Sequence, residues 1–456
     1  MNFRSEIPGY VRSVMEKMSS RGHEIYVVGG AVRDLAAGKV PDDFDLTTSA
    51  SPEETIEVLN SFGIGYADTG LKHGTVMAIP EGKKVEITSF RTEGGYKDKR
   101  HPDGVTFIKD INEDVKRRDF TINAMYLDPD GFVTDPVGGL KDMEDKLIRA
   151  VGDPEERFRE DALRILRALR FEALTGFEIE AETRKAMIKA APGLREISAE
   201  RIASEFRRTL TAGYASKAVR GAVDIISIFI PELKACEGFD QRSPYHDLDV
   251  LEHTLAVLDN IPPAEYGKRD EALALAAFFH DIAKPLCFYL GANGVGHMKG
   301  HPVVSRDIAG KRLNELKFPV KEIREVEDLV LMHDTFIKPE RVMVRKLMAS
   351  YPAAFLDKLE ILQRADILAH AAPGQLRMEK LEHISAIRRQ LTGEGFVTDI
   401  KDLDINGNDI IALGVKPGPA VGALIHCLWE DYLSEKVDNN KGDLIERLRI
   451  YVTFPT

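Results

Sequence analysis

The sequence predicts an α+β fold: a small head built on a mixed sheet, followed by a longer stretch of helices. Three observations carry this reading. Short β-branched runs punctuated by turns crowd the first third of the chain, at 25–28, 43–46, 73–80 and 83–90. From Asp153 onward apolar residues recur at helical spacing, with Leu163, Leu166 and Leu169 in one stripe. The run ALALAAFF, ending at Phe279, has the composition of a buried helix.

Residues 3–23 read as an amphipathic helix ahead of the strand Ile25–Val28, which Gly29-Gly30 stops. Glycines there let backbone N–H groups approach a phosphate closely, and Arg33 could add a bidentate clamp. In Asp43-Phe44-Asp45-Leu46 polar and apolar residues alternate, so both carboxylates share one face while Phe44 and Leu46 face a core. Two like charges that close call for a cation, and oxygen ligands suit Mg²⁺. The run SPEETIEVLNSFG has a helix start at its Ser-Pro-Glu-Glu and a stop at Gly63. HGTVMAIP and KKVEITSF look like adjacent strands. Glu86, on the second, is either a third acidic group at the metal site or an outward-facing surface residue.

Residues 91–110 mix charges, glycines and a proline, the composition of a mobile loop. In KRRDFTINA, Phe120 and Ile122 alternate like strand core residues, while Arg118 could hold phosphate oxygens bidentately. Turn signals at Pro129-Asp130-Gly131 and Gly138-Gly139 close the head.

Residues 153–171 read as one helix, with Asp161, Arg164, Arg167 and Arg170 along a second side. An ion-paired solvated face is one reading. The other is base recognition: cytosine and adenine each present an exocyclic amine beside a ring-nitrogen acceptor, which a carboxylate and a guanidinium can pair with. Uracil and guanine present a carbonyl there, so an Asp/Arg pair selects CTP and ATP. In SAERIASEFRRTL, Arg207 and Arg208 are candidates for RNA backbone contacts or are simply solvated.

Histidines gather further on: His246 and His253 bracket a helix, His280-Asp281 follows the apolar run, and His301, His333 and Asp366 come later. Imidazole and carboxylate in that order suit a divalent or transition metal. The tail, Leu403–Asn440, has firm turns around short helices, and Val421–Trp429 reads as core.

Composition narrows the class. Hydrophobic residues make up 43% and charged residues 30%, and no apolar run reaches membrane-span length. The N-terminal residues lack a signal-peptide core, and Cys236, Cys287 and Cys427 match no disulfide or zinc spacing, so a cytoplasmic location without membrane association is expected. A net charge of −12 argues against bulk electrostatic wrapping of nucleic acid, so an RNA partner requires a localised basic surface.

GGAVRD followed by DDFDL resembles the nucleotidyltransferases of the DNA polymerase β superfamily, in particular the bacterial tRNA nucleotidyltransferases and poly(A) polymerases; KRRDFTINA matches a further motif of that family. Its Glu-Asp-x-x-Arg motif maps onto Glu160, Asp161 and Arg164, and Arg167 and Arg170 match arginines that contact the nucleotide. The resemblance implies a polymerase β-like head with Mg²⁺ on Asp43 and Asp45, triphosphate on Gly30, Arg33 and Arg118, and base reading by Asp161 and Arg164. The implied activity is addition of CMP and AMP to the 3′ end of tRNA, and the loop at 91–110 occupies the place of one associated with adenosine addition. The histidine pattern resembles the HD phosphohydrolase superfamily, with His253, His280, Asp281 and Asp366 as implied ligands and His301 and His333 matching extra histidines of some members.

The expected organisation is a catalytic head at 1–148, a helical neck with the nucleotide-recognition motif at 149–235, an HD domain at 236–395 and a helical tail at 396–456. Two alternatives stay open: an A-adding enzyme or poly(A) polymerase, and an HD phosphohydrolase whose head serves as RNA adaptor.

Overall fold

The computed structural model describes residues 2–71, 74–93, 105–263 and 268–453. The chain forms two compact units. The first comprises residues 1–234, 263–269 and 315–318, and the second residues 235–262, 270–314 and 319–456.

In the first unit α1 spans Gly9–Ser20, shorter than the expected 3–23, because Pro8 sets its start and Gly22, at φ +83°, follows its end. It buries Val11, Val14, Met15 and Met18. Then come β1 (Ile25–Val28), α2 (Gly30–Ala36), β2 (Asp45–Thr48), α3 (Pro52–Ser61), β3 (Gly65–Gly70), β4 (Thr75–Ile79) and β5 (Val85–Ser89). Ser51 and Glu54 close a capping box on α3, a device worth about 1 kcal/mol. The flanks β6 (Arg91–Glu93) and β7 (Val105–Phe107) pair antiparallel, and the loop residues 94–104 lie outside the described residues.

After α4 (Ile111–Asp114), β8 (Tyr126–Leu127) and β9 (Val133–Thr134) complete a seven-stranded sheet of order β3-β4-β5-β2-β1-β8-β9. The sheet is mixed: β2 and β5 run parallel and the other neighbours antiparallel. One core, including Met15, Val27, Leu46 and Ile87, joins it to α1 and α3.

KRRDFTINA is not a strand. Thr121–Asn123 forms a 3₁₀ turn, and Phe120 makes an isolated bridge to Ala150. Asp119 accepts from the Phe120 N–H, a local bond that competes with a strand ladder, yet Phe120 and Ile122 are both fully buried. The next helix, α5 (Gly139–Asp145), packs closely there: a Cβ on Gly139 would lie 2.3 Å from the Thr121 carbonyl oxygen.

The expected single helix over 153–171 is two, α6 (Pro154–Glu160) and α7 (Leu163–Thr175). Between them Asp161 is extended, at φ −141° and ψ 104°. Its carboxylate accepts from the Leu163 N–H, which starts the second helix as a capping residue would. The apolar stripe Leu163, Leu166 and Leu169 is buried as expected. Helices α8 (Ala181–Ala190) and α9 (Ala199–Thr211) follow, and α9 packs along α7.

Among its described residues the second unit is helical apart from a small hairpin pairing Tyr289–Leu290 with Gly296–His297. Helices Val250–Asn260, Glu271–Phe279, Val320–Met332 and Ala353–Leu368 pack together. Every residue from Ala272 to Phe279 is buried. In the tail helix Pro419–Leu433 the expected core stretch 421–429 buries only Leu428 fully. Val421, Leu424, Ile425 and Trp429 pack partly against the tail cluster, while His426 and Cys427 are exposed, because among the described residues one face of this helix is covered and the other is not. Among the described residues no helix is long and apolar enough to cross a membrane.

Candidate functional site

Strand β1 ends on Val28; Gly29 follows it, at a φ of +72° and ψ of −130° that suit glycine alone, and the chain turns directly into α2 at Gly30. The turn aims the first turn of α2 into a cleft of about 960 Å³ within the first unit, lined by Gly29, Gly30 and Arg33 on this side. Arg33, 6% exposed, donates from Nη1 to Asn123 Oδ1 at 2.8 Å and from Nε and Nη2 to Asp34 Oδ1 at 3.0 and 2.9 Å.

Asp43 and Asp45 also line the cleft. Both are exposed while Phe44 and Leu46 are buried, the alternation the sequence predicts. The parallel register Leu46↔Ile87 sets Asp45 beside Glu86 on the neighbouring strand, and Glu86 faces the same side. Burial, then the charges of Asp43 and Glu86, push the Asp45 carboxyl up to about 6, with Arg118 opposing. Three carboxylates on one ledge are mutually repulsive, a donor set that suits a divalent cation.

Arg118 is held from behind. Its Nη2 donates to Asp114 Oδ2 at 3.1 Å and its Nε to the Tyr126 hydroxyl at 2.8 Å. Asp114 is fully buried and also takes Arg117, at 2.7 Å, and the Arg91 backbone N–H. Burial opposes its ionisation, but the charges of Arg117 and Arg118 hold its carboxyl below the usual range.

The opposite wall comes from α7 and the break before it. Asp161 Oδ2 accepts from Arg201 Nη2 at 2.7 Å. Arg164 donates to Glu160 Oε2 at 2.6 Å, to the Arg157 carbonyl and to the Arg117 carbonyl. Arg167 binds Asp119 Oδ2 from Nε at 2.8 Å and Nη2 at 2.5 Å. Arg170 binds Glu205 Oε2 at 2.6 Å. The centre of the Phe171 ring lies 5.3, 5.6 and 4.2 Å from the guanidinium carbons of Arg33, Arg167 and Arg170, so one aromatic ring has three cations around it. The cleft therefore collects Gly30, Arg33, Asp43, Asp45, Arg118, Asp161, Arg164, Arg167 and Arg170, together with Arg208, while Glu86, Glu160 and Arg207, which the sequence also nominates, are not in its lining.

Sequence reasoning missed Asp114, Asp119, Asn123, Phe171 and Arg201. The signal for the first three was present: acids and an amide bracket the Arg-Arg pair of a nine-residue motif. No local signal marks Arg201, whose partner is 40 positions away.

In the second unit His253, His280, Asp281 and Asp366 converge, all buried, with ligand atoms close enough to hold a metal ion. His253 Nε2 lies 3.0 Å from Asp366 Oδ1 and 3.4 Å from Asp281 Oδ2; His280 Nε2 lies 3.2 Å from Asp281 Oδ2. Asp281 is shared with a second group, His301 and His333, at 3.0 and 3.6 Å. The Nδ1 atoms of His280, His301 and His333 each face a backbone carbonyl, at 2.8, 2.9 and 2.6 Å. A proton held there leaves each Nε2 lone pair for a metal. His280 Nε2 and both Asp281 oxygens are buried and, although other polar atoms stand close, none is aligned with them as a well-formed hydrogen bond, which fits a cation between them. Lys284 Nζ also reaches Asp281, at 2.6 Å. Burial opposes ionisation of Asp281, but His280 and Lys284 hold it well below the usual carboxylate range.

Comparison with known proteins bears on the whole chain. Residues 25–149 match the poly A polymerase head domain, 176–236 the probable RNA and SrmB-binding site of polymerase A, and 303–448 the putative tRNA nucleotidyltransferase domain 2. The CCA-adding enzyme of Geobacillus kaustophilus is 32% identical over 94% of this chain and 93% of its own length. That of Leuconostoc mesenteroides is 47% identical over 48% of this chain, a match spanning 54% of that protein. The crystal structure of the Bacillus stearothermophilus CCA-adding enzyme in complex with CTP superposes with a TM-score of 0.67, at 27% identity and 97% coverage of both chains. Near-complete coverage by such relatives shows that this chain belongs to the CCA-adding enzyme family of tRNA nucleotidyltransferases.

Proposed function

We propose that this chain adds CMP and AMP, from CTP and ATP, to the 3′ end of tRNA and so builds its terminal CCA without a nucleic-acid template, acting in the cytoplasm. What supports this most is the single cleft holding a carboxylate ledge, arginine clamps and an Asp161/Arg164 wall. The tRNA 3′-hydroxyl attacks the α-phosphate and pyrophosphate leaves. Asp43 and Asp45, with Glu86 beside them, would hold Mg²⁺. When bound, Mg²⁺ lowers the pKa of the attacking hydroxyl and neutralises charge on the departing phosphates. Gly30, Arg33 and Arg118 bind the triphosphate, with Arg118 kept in place by Asp114 and Tyr126. Asp161 accepts from the exocyclic amine of cytosine or adenine and Arg164 donates to the ring nitrogen, while Arg167 and Arg170 bind further along the nucleotide.

The test uses tRNA transcripts ending before CCA or in CC, with CTP, ATP or both. Growth of the first to a defined CCA end is expected. Extension of the second alone by one adenosine would make the chain an A-adding enzyme, and long adenosine tails a poly(A) polymerase. Asp161→Ala is expected to lower the CTP-over-UTP preference by roughly 10- to 100-fold. Preserved discrimination would remove the base-reading role.

The buried cluster in the second unit favours a further reading. His253, His280, Asp281 and Asp366 would hold a divalent or transition metal, which when bound can activate water for phosphoester hydrolysis. Elemental analysis of the purified protein should find about one or two metal ions per chain, reduced in His280→Ala. Equal content in the variant would sink this assignment.

A further inference from the structure

Asp161 lies in the break between α6 and α7, so neither helix dictates where its carboxylate points. Two contacts do. The Leu163 N–H donates to Oδ1 at 2.9 Å, and Arg201 Nη2 donates to Oδ2 at 2.7 Å. Arg201 stands on α9, the helix packed along α7, and one turn further on Glu205 takes Arg170 at 2.6 Å. One face of α9 thus grips two nucleotide-facing residues of the neighbouring segment. Arg201 Nη1 is buried without a hydrogen-bond partner, and Nη2 makes the ion pair with Asp161.

We infer that Arg201 is a positioning residue for nucleotide selection, fixing the Asp161 carboxylate so that it stays presented to the base edge. This rests on the base-reading role proposed above for Asp161. Selection against UTP requires that the carboxylate cannot swing away when a carbonyl oxygen faces it. A carboxylate tethered on one oxygen alone can rotate and relieve that repulsion, whereas one held on both oxygens by different elements cannot. Both oxygens keep a second lone pair for the incoming amine. Removing Arg201 should therefore harm discrimination more than turnover.

The experiment measures kcat and KM for CTP and for UTP in single additions by the full chain to a tRNA transcript lacking CCA. Arg201→Gln is expected to lower the CTP/UTP ratio of kcat/KM about tenfold, mainly through a lower KM for UTP as the freed carboxylate turns away from its carbonyl. Arg201→Lys should restore part of the ratio. In an Asp161→Ala background Arg201→Gln should change the ratio no further, since the two act as one unit. Each ratio comes from one preparation, so partial unfolding cancels. A wild-type ratio in Arg201→Gln, with a collapsed ratio in Asp161→Ala, would overturn the positioning role and leave base reading intact. A wild-type ratio in Asp161→Ala would instead overturn base reading itself. An equal further loss in the double variant would mean that Arg201 touches the nucleotide directly, which also overturns the positioning role.

Discussion

Asp45→Asn is expected to slow nucleotidyl transfer at least about 10³-fold while leaving the fold intact, because it removes half of the carboxylate pair proposed to hold Mg²⁺. Single-turnover incorporation of labelled CMP at saturating Mg²⁺ would measure it. A variant that kept wild-type transfer would revive the reading of the head as an RNA adaptor. The same substitution has a stability signature of opposite sign. Asp45 is raised to about 6 in the folded chain, so the fold disfavours its ionised form. Stability is lost as pH rises from near 4 through 6, and Asn does not share that loss. Because the side chain is exposed, solvent screening trims the gain to about 1 kcal/mol. Metal-free Asp45→Asn should thus be more stable than the parent chain at pH 8, with the difference gone below pH 4. Mg²⁺ should narrow the gap by stabilising the parent alone.

Asp114→Ala is expected to cost about 3–5 kcal/mol, the range for breaking a buried ion pair. Asp114 is fully buried, and its loss leaves Arg117 and Arg118 without that carboxylate and the Tyr126 hydroxyl without its acceptor. Its carboxyl lies below the usual range, so its contribution is present at neutral pH and is lost as pH falls through the folded value in strong acid. Denaturant unfolding at pH 7 would read the loss, and the variant's deficit should shrink toward pH 3. Folded Asp114→Ala should also bind CTP more weakly, since Arg118 loses the partner that aims it. A loss below about 1 kcal/mol would mean the arginines find solvent instead of pairing here.

Much of the head was legible because its signals are local. Strand, Gly-Gly turn and helix at 25–36 follow from composition, and the two-residue period at Asp43 and Asp45 assigns their face without any tertiary knowledge. The capping box of α3 was equally readable. KRRDFTINA misled because its apolar alternation matches both a strand and a buried turn, and Asp119 bonding its neighbour's N–H decided between them.

The sequence by itself determined the fold class and picked out several of the carboxylates and arginines that line the cleft, among them Asp43, Asp45, Arg118 and Asp161, since residue type and short-range period encode them. Only the tertiary structure decided the break at Asp161, because helical spacing runs unbroken through 153–171 and the interrupting hydrogen bond carries no periodic signature. It alone showed Glu86 beside Asp45, a consequence of parallel register between strands some 40 positions apart. It also paired Arg201 with Asp161 and set His253, His280, Asp281 and Asp366 around one point. Such contacts depend on how helices pack across long stretches of chain, and packing is written in complementary surfaces instead of in any one segment.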